Sequence, residues 1–237
     1  MSVALEWGPV GAKVLAEQCD VLILVDVLSF STAVTVAVER GALVWPHIGG
    51  ENARVLARDI GAVLAGNRGS HDGPTLSPAS LLDIEKDSRL VLPSPNGSAI
   101  AFAAVEGGVT ALHGGVAVVA GCLRNASAVA RYVRDFERIG VVPAGERWGD
   151  GSLRPAYEDL VGAGAVIDRI AARDLTVILT PEAEAAAIAF RALRRLEECP
   201  SGHELAARGF TEDVRLASEL DVSDVVPRLT EGRFVAA

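Results

Sequence analysis

The sequence predicts an α/β fold in which helices cover both faces of a central sheet, three layers in all. Three observations carry this expectation. Short, continuous apolar runs such as 21–25 (VLILV) and 116–119 (VAVV) have the length and composition of strands buried on both faces. These runs alternate with segments of helical period, the pattern of a sheet built from strand–helix units. At least three strand ends also run into turns rich in hydroxyls or amides that open a helix, and in open α/β sheets such turns gather at the carboxyl edge, where ligands bind. Half of the residues are hydrophobic and only 5% aromatic, so the core is expected to be close helix-on-sheet packing rather than aromatic clusters. No linker or charge run marks off a second unit, and residues 1–237 read as a single α/β domain.

In order, a short first segment can form a strand, and 21–27 is the first clear one, interrupted near its end by Asp26. Asp26 either caps the following turn or serves as metal ligand, base or nucleophile. Ser31 and Thr32 then bring hydroxyls to a strand-to-helix junction, where ordinary helix caps are also found, and 33–40 reads as a helix closed by Gly41. A strand at 43–48, a helix at 52–60 and a strand at 63–65 follow. Loop 66–78 is rich in turn residues and holds Arg68, His71 and Asp72. The unit recurs with a strand at 89–92, a turn through Asn96, Gly97 and Ser98, and a helix at 99–105. It recurs again with a strand at 116–120, a turn containing Cys122, Arg124 and Asn125, and a helix across 126–138. Val141 and Val142 lead out of a further strand. Helices at 160–172 and 181–198 follow, the chain restarts at 201–204, and Glu212 and Asp213 stand at a helix start, where they would act as dipole partners. The chain ends in a strand led by Pro227, expected at a sheet edge because proline has no N–H for a central ladder.

Segment 143–164 concentrates the chemistry: four carboxylates, two arginines and five glycines in twenty-two residues. Glu146 and Asp150 lie in a glycine-rich stretch expected to hold no regular structure, and Pro155 suits the first turn of the next helix. Glu158 and Asp159 fall in that first turn, where carboxylates complement the macrodipole. That accounts for two of the four; oxygen ligands on a loop feeding a helix start are also what a hard cation such as Mg²⁺ would use together with a substrate phosphate.

Other mechanisms are excluded by inspection. Leu28 stands where a haloacid-dehalogenase-type phosphatase needs its second Asp, and Ala128 where a cysteine phosphatase would need Arg after Cys122. There is no GxSxG, no GxxxxGK[ST] and no HExxH, and His47, His71, His113 and His203 are far apart in sequence. A net charge of -9 and a pI near 5.0 disfavour nucleic acid and anionic membranes as partners. Cys19, Cys122 and Cys199 have no disulfide-type spacing, no signal peptide opens the chain, and the apolar runs are far short of a membrane span, so a cytoplasmic location is expected. A homodimer is left open.

Five separated stretches, taken in order, resemble the 2-phosphosulfolactate phosphatase family, Mg²⁺-dependent enzymes of coenzyme M biosynthesis. They are Asp26-Val27-Leu28 with Ser31-Thr32; Ser94 through Ser98 around Asn96-Gly97; the run beginning Asn125-Ala126; Gly149 through Pro155 with Glu158-Asp159; and Gly209-Phe210 with Glu212-Asp213 and Ser223 through Pro227. The resemblance implies a three-layer α/β/α fold with a mixed, mostly parallel sheet, a divalent metal, and hydrolysis of a small anionic phosphate ester. Metal ligands would come from Asp26, Glu146, Asp150, Glu158 and Asp159, with Asp26, Asp150 and Glu158 as the catalytic set. Ser31, Thr32, Asn96, Gly97, Ser98 and Asn125 would hold the phosphate, and Arg124 or Arg154 a second anionic group. Two departures stand out: Ser29 and Ala99 occupy positions where the family usually carries arginine, so a divergent substrate, or a non-catalytic small-anion binder, is the alternative.

Overall fold

A computed structural model describes residues 1–70, 73–110, 115–192 and 195–237; His71, Asp72 and His113 lie outside the described residues. The strands are β1 (Ser2–Leu5), β2 (Val21–Val25), β3 (Leu43–His47), β4 (Val63–Leu64), β5 (Arg89–Pro93), β6 (Ala117–Gly121), β7 (Arg138–Pro143), β8 (Glu146–Arg147), β9 (Leu153–Arg154), β10 (Ile178–Leu179), β11 (Pro227–Thr230) and β12 (Arg233–Ala236). The helices are α1 (Gly8–Ala16), α2 (Phe30–Glu39), α3 (Glu51–Asp59), α4 (Gly97–Thr110), α5 (Ala126–Tyr132), α6 (Tyr157–Arg173), α7 (Pro181–Arg191), α8 (Pro200–Ala207) and α9 (Thr211–Ser218).

Ten strands form one sheet in the order β10-β1-β7-β2-β6-β11-β12-β3-β5-β4. Every pairing is parallel except those made by β11 and β12. With helices on both faces, this is the three-layer α/β/α fold with a mixed, mostly parallel sheet. The side-chain alternation of β2 explains why five successive apolar residues are needed. Val21, Ile23 and Val25 enter the core under α5, α6 and α7, while Leu22 and Leu24 enter the core under α1, α2 and α4. All five are fully buried, each contributing roughly 1.5–3 kcal/mol relative to exposure. Gly164 sets the closeness of α6 and α7: a Cβ there would lie 2.0 Å from the Ala186 carbonyl oxygen.

Several boundaries differ from the sequence expectation for identifiable reasons. The helix expected across 126–138 stops at Tyr132 and, after one 3-10 turn, gives way to β7. Arg138 is drawn into the sheet by Asp20, whose Oδ2 accepts the Arg138 backbone N–H at 2.9 Å. Segment 146–154 does hold regular structure, since β8 and β9 pair as a small antiparallel ribbon outside the main sheet. Helix α6 begins at Tyr157, so Pro155 precedes it rather than opening its first turn. The helix expected over 181–198 ends at Arg191, with a short 3-10 turn at Leu196–Glu198. β10 and β12 have no counterpart in the expectation.

The Pro227 strand is not at an edge; β11 is inserted between β6 and β12. Proline is tolerated there because it takes the first position of the strand, and pairing with β6 is confined to Arg228 opposite Val119. Among the described residues, no helix is long and apolar enough to cross a membrane.

Candidate active site

The carboxyl ends of β2, β6 and β7 are level, Val25 standing opposite both Gly121 and Pro143. The residues that follow these strands, with those after β5, therefore emerge at one edge of the sheet. There they line a cleft of about 290 Å³ that includes Asp26, Ser29, Arg68, Asn96, Glu146 and Arg208.

Asp26 is buried at the turn from β2 into α2. Its Oδ1 accepts the Phe30 N–H at 3.0 Å, while its own N–H donates to Ser31 Oγ at 2.9 Å. Ser31 and Thr32 do not cap α2: their hydroxyls point back to the Leu24 and Val27 carbonyls at 3.0 and 2.7 Å and brace the turn. Burial pushes the Asp26 carboxyl up to about 7, opposed by N–H donors from Phe30 and Gly97 and reinforced by the charges of Glu146 and Glu158. Gly97 has to be glycine, because a Cβ would lie 2.3 Å from the Phe30 ring. This close approach brings the first turn of α4 against the first turn of α2.

Asp159 holds two loops together. Its Oδ1 accepts Val27 N–H at 2.7 Å and its Oδ2 accepts Gly145 N–H at 2.8 Å, so the loops carrying Asp26 and Glu146 are fixed to the first turn of α6. Burial, followed by the charges of Asp26 and Glu158, holds this carboxyl well above the ordinary range. Glu146 accepts a hydrogen bond from Asn96 Nδ2 at 2.8 Å, and burial raises its proton affinity, with Glu158 adding to the rise. Glu158 is 2% exposed and accepts the Cys199 thiol, Sγ to Oε2 3.3 Å. Burial and the Glu158 charge push that thiol up to about 12, so it remains a donor.

The remaining predicted residues are placed as follows. Asp150 sits exposed at the tip of the β8–β9 ribbon, outside the cleft lining, where hydrogen bonds from the Ser152 hydroxyl and N–H lower its carboxyl. Arg154 lies on β9 close enough to lower the proton affinity of Glu146, with its guanidinium over the Trp148 ring and 3.9 Å from Glu204. Arg124 is buried and directed to the Leu216 carbonyl and Glu219. Asn125 is fully buried and ties Cys122 N–H, the Ala120 carbonyl and the Val225 carbonyl together. Ser98 is also fully buried, 3.5 Å from the Leu92 carbonyl. Asp26, Asn96, Gly97, Glu146, Glu158, Asp159 and Arg154 are thus brought together, whereas Arg124 and Asn125 brace the β6 turn.

The sequence offered Arg68 only as one of four arginines, with Arg124, Arg147 and Arg154, able to stand in part for the missing family arginines, and it assigned no site role to Asp213 or Arg208. Arg68 reaches from the loop after β4 to Ser29 Oγ at 2.8 Å and lies 3.3 Å from Asp213 Oδ2, and Asp213 Oδ1 accepts Ser77 Oγ–H at 2.5 Å. Asp213 is therefore more than a dipole partner of α9. The signal for Arg68 was a lone cation in a turn-rich loop after a strand of an acidic chain. Arg208, just past a helix end, had none, because bases are ordinary there.

Among the described residues, no three His, Cys, Asp or Glu side chains converge into a ready-made metal cage. The donor chemistry nevertheless fits a hard cation. Asp26, Glu146 and Glu158 present carboxylate oxygens whose charges act on one another, and Mg²⁺ is commonly held by one or two carboxylates plus water and phosphate rather than by an all-protein cage.

The profile of the family described as 2-phosphosulpholactate phosphatase matches residues 12–232. A protein of Deinococcus radiodurans described as a probable 2-phosphosulfolactate phosphatase is 30% identical over 235 residues, covering 92% of this chain and 91% of its own. A protein of Carboxydothermus hydrogenoformans with the same description is 28% identical, covering 90% and 89%. Another, from Caldanaerobacter subterraneus, is 26% identical over 89% and 88%. With a profile match running from α1 to the β11–β12 turn and relatives aligned over nearly their whole length, the chain belongs to the 2-phosphosulfolactate phosphatase family.

Proposed function

We propose that this protein is a Mg²⁺-dependent phosphatase of a small anionic phosphate monoester, with 2-phosphosulfolactate, cleaved to sulfolactate and phosphate, as the first substrate to test. The observation that carries the reading is the meeting of Asp26, Glu146 and Glu158 at the carboxyl edge of the sheet, beside the first turns of α2 and α4. Buried carboxylates that oppose one another's ionisation attract a cation. Asp26 and Glu146, the two carboxylates of this set that line the cleft, would hold Mg²⁺ together with water and the phosphate, and the ion would supply positive charge to neutralise the phosphoryl oxygens.

The protein's own residues position this set. Phe30 N–H fixes Asp26 Oδ1, Asn96 fixes Glu146, the Cys199 thiol fixes Glu158, and Asp159 joins the loops beneath them. Such fixed donors and charges suit phosphoryl transfer, in which positioning and electrostatics supply nearly all of the catalysis. A cleft of about 290 Å³ accommodates an ester of a few carbons.

The test is phosphate release from 2-phosphosulfolactate, phospholactate and phosphoglycolate, with Mg²⁺ and with chelator. Mg²⁺-dependent release is expected, and Asp26→Asn should lower it by about 10²–10³. Wild-type rates in that variant, or equal release in chelator, would refute the reading. The non-catalytic alternative rests on Ser29 and Ala99. Against it, the Arg68 guanidinium reaches Ser29 Oγ, so the cleft retains a cation at that position.

A further inference from the structure

The loop that carries Glu146 borders two hollows. On one side is the cleft described above; on the other is a groove of about 360 Å³, larger than the cleft, with Trp7, Pro9, Val10, Ala144 and Leu153 in its lining. Asn96 and Glu146 belong to both linings, and the 2.8 Å hydrogen bond that Asn96 Nδ2 donates to Glu146 makes this pair the boundary at which cleft and groove meet. The charged side chains of the groove lining are Glu146, at that boundary, and Arg147, whose Nη1 donates to the Gly151 carbonyl at 3.1 Å.

The backbone is shaped to make this groove. Leu153 on β9 sits over two glycines of positive φ, Gly8 at +64° and Gly145 at +67°, where a Cβ would lie 3.3 and 2.8 Å from Leu153 Cδ1. Gly145 is held in turn by Asp159, so one anchored loop sets both the groove and the place of Glu146. Trp7 packs against the core under α5, α6 and α7. Val10 and Leu153 are instead 78% and 39% exposed, so apolar surface stands in water where the cleft ends. An ester seated with its phosphate in the cleft would cover that surface if its alcohol carried an apolar group. Binding energy gained there, away from the reacting atoms, helps to fix the ester in place.

We infer that this groove is the subsite for an apolar substituent on the alcohol of the ester, so that the protein takes phosphate monoesters whose alcohol bears an alkyl chain or an aromatic ring. The inference rests on the phosphatase reading of the adjoining cleft and gives it a substrate class. The phosphate lies on the Asp26 side of the Asn96–Glu146 pair, and the apolar group on the Trp7 side.

The test uses phosphonates, which cannot be hydrolysed, titrated calorimetrically with Mg²⁺ present. Methylphosphonate, butylphosphonate and 2-phenylethylphosphonate share one head group and differ only in the apolar tail. Wild-type protein should bind one or both of the longer probes roughly ten- to a hundredfold more tightly than methylphosphonate. The double variant Val10→Asn with Leu153→Asn should bring that ratio to within about threefold of unity. Val14→Asn, at an exposed position of α1 outside the groove lining, should leave it unchanged. Val10 is exposed and β9 pairs only with β8, so the double variant spares the main sheet, and a ratio between probes is internally controlled for any loss of folded protein. Equal affinities in the wild type, no binding of any probe, or a ratio lost equally in Val14→Asn would overturn the inference. So would a ratio preserved in the double variant, which would place the apolar contact on Leu28, Leu76 or Leu205 of the cleft itself. The phosphatase reading is judged separately, by phosphate release from phospholactate and its 3-phenyl derivative. Release without an apolar preference in binding refutes the groove alone, and preference without release refutes the phosphatase alone.

Discussion

Asp159→Asn isolates a single structural device. In the native protein both carboxylate oxygens of Asp159 accept backbone N–H groups, one from Val27 and one from Gly145, at 2.7 and 2.8 Å. Asparagine keeps the size but has only one oxygen, so its amide NH₂ must face one of these N–H donors. One hydrogen bond to a buried acceptor is lost, and a buried donor is left unsatisfied against another donor. Together these cost about 2–4 kcal/mol. At a urea m-value of about 3 kcal/mol/M for a chain of this size, the unfolding midpoint should fall by roughly 1 M. The assay is urea unfolding followed by tryptophan fluorescence, with Asp150→Asn as control. Asp150 is exposed and accepts only from Ser152, so its variant should leave the midpoint in place. An Asp159→Asn midpoint equal to wild type would mean that Asp159 does not join the two loops, and the positioning argument for Asp26 and Glu146 would fail with it.

Other expectations follow from the same physics. Gly164→Ala should destabilise by about 1–3 kcal/mol or more, because the added methyl meets the Ala186 carbonyl and α6 must move from α7; unchanged thermal stability would refute this packing. In chelator, stability should fall as pH rises from 5.5 to 8. The Asp26 carboxyl is raised from about 3.8 unfolded to about 7 folded, so between those values the folded state holds a proton that the unfolded chain has released. Asp159 acts in the same direction. The slope is at most about 1.4 kcal/mol per pH unit per proton, and a midpoint that is flat or rises over this range would contradict the burial of these groups. Adding Mg²⁺ at pH 8 should recover the loss by favouring the ionised carboxylates.

What could be read from the sequence was local. The run 21–25 is apolar without interruption because each of its faces meets a different core, and that pattern alone located the strand whose end carries Asp26. The close approach at Asn96-Gly97 was legible as a turn, but the reason for the glycine, the Phe30 ring, lies on another helix. Among the four carboxylates of segment 143–164, sequence position could not separate Asp150, which faces water, from Glu158, which is buried; the ribbon geometry decides that. Arg68 and Asp213 are 145 positions apart, and neither carries a mark of its partner. Pro227 was read through the donor that it lacks, whereas its place in the sheet depends on how little of β11 pairs with β6.

The insertion of β11 and β12 between β6 and β3 has a consequence for how the molecule is made. Without that hairpin the parallel strands fall into two separate groups, β10-β1-β7-β2-β6 and β3-β5-β4. Asp26 and Glu146 follow strands of the first group, while Asn96 and Arg68 follow strands of the second. The seam between them is closed by residues 227–236, the last of the sheet to leave the ribosome, and the pairing of Phe234 with Val44 on its β3 side is among the most distant in sequence. A nascent chain therefore carries both halves of the cleft joined through helix contacts alone, and the continuous sheet beneath the pocket is complete only once residues 227–236 have been made.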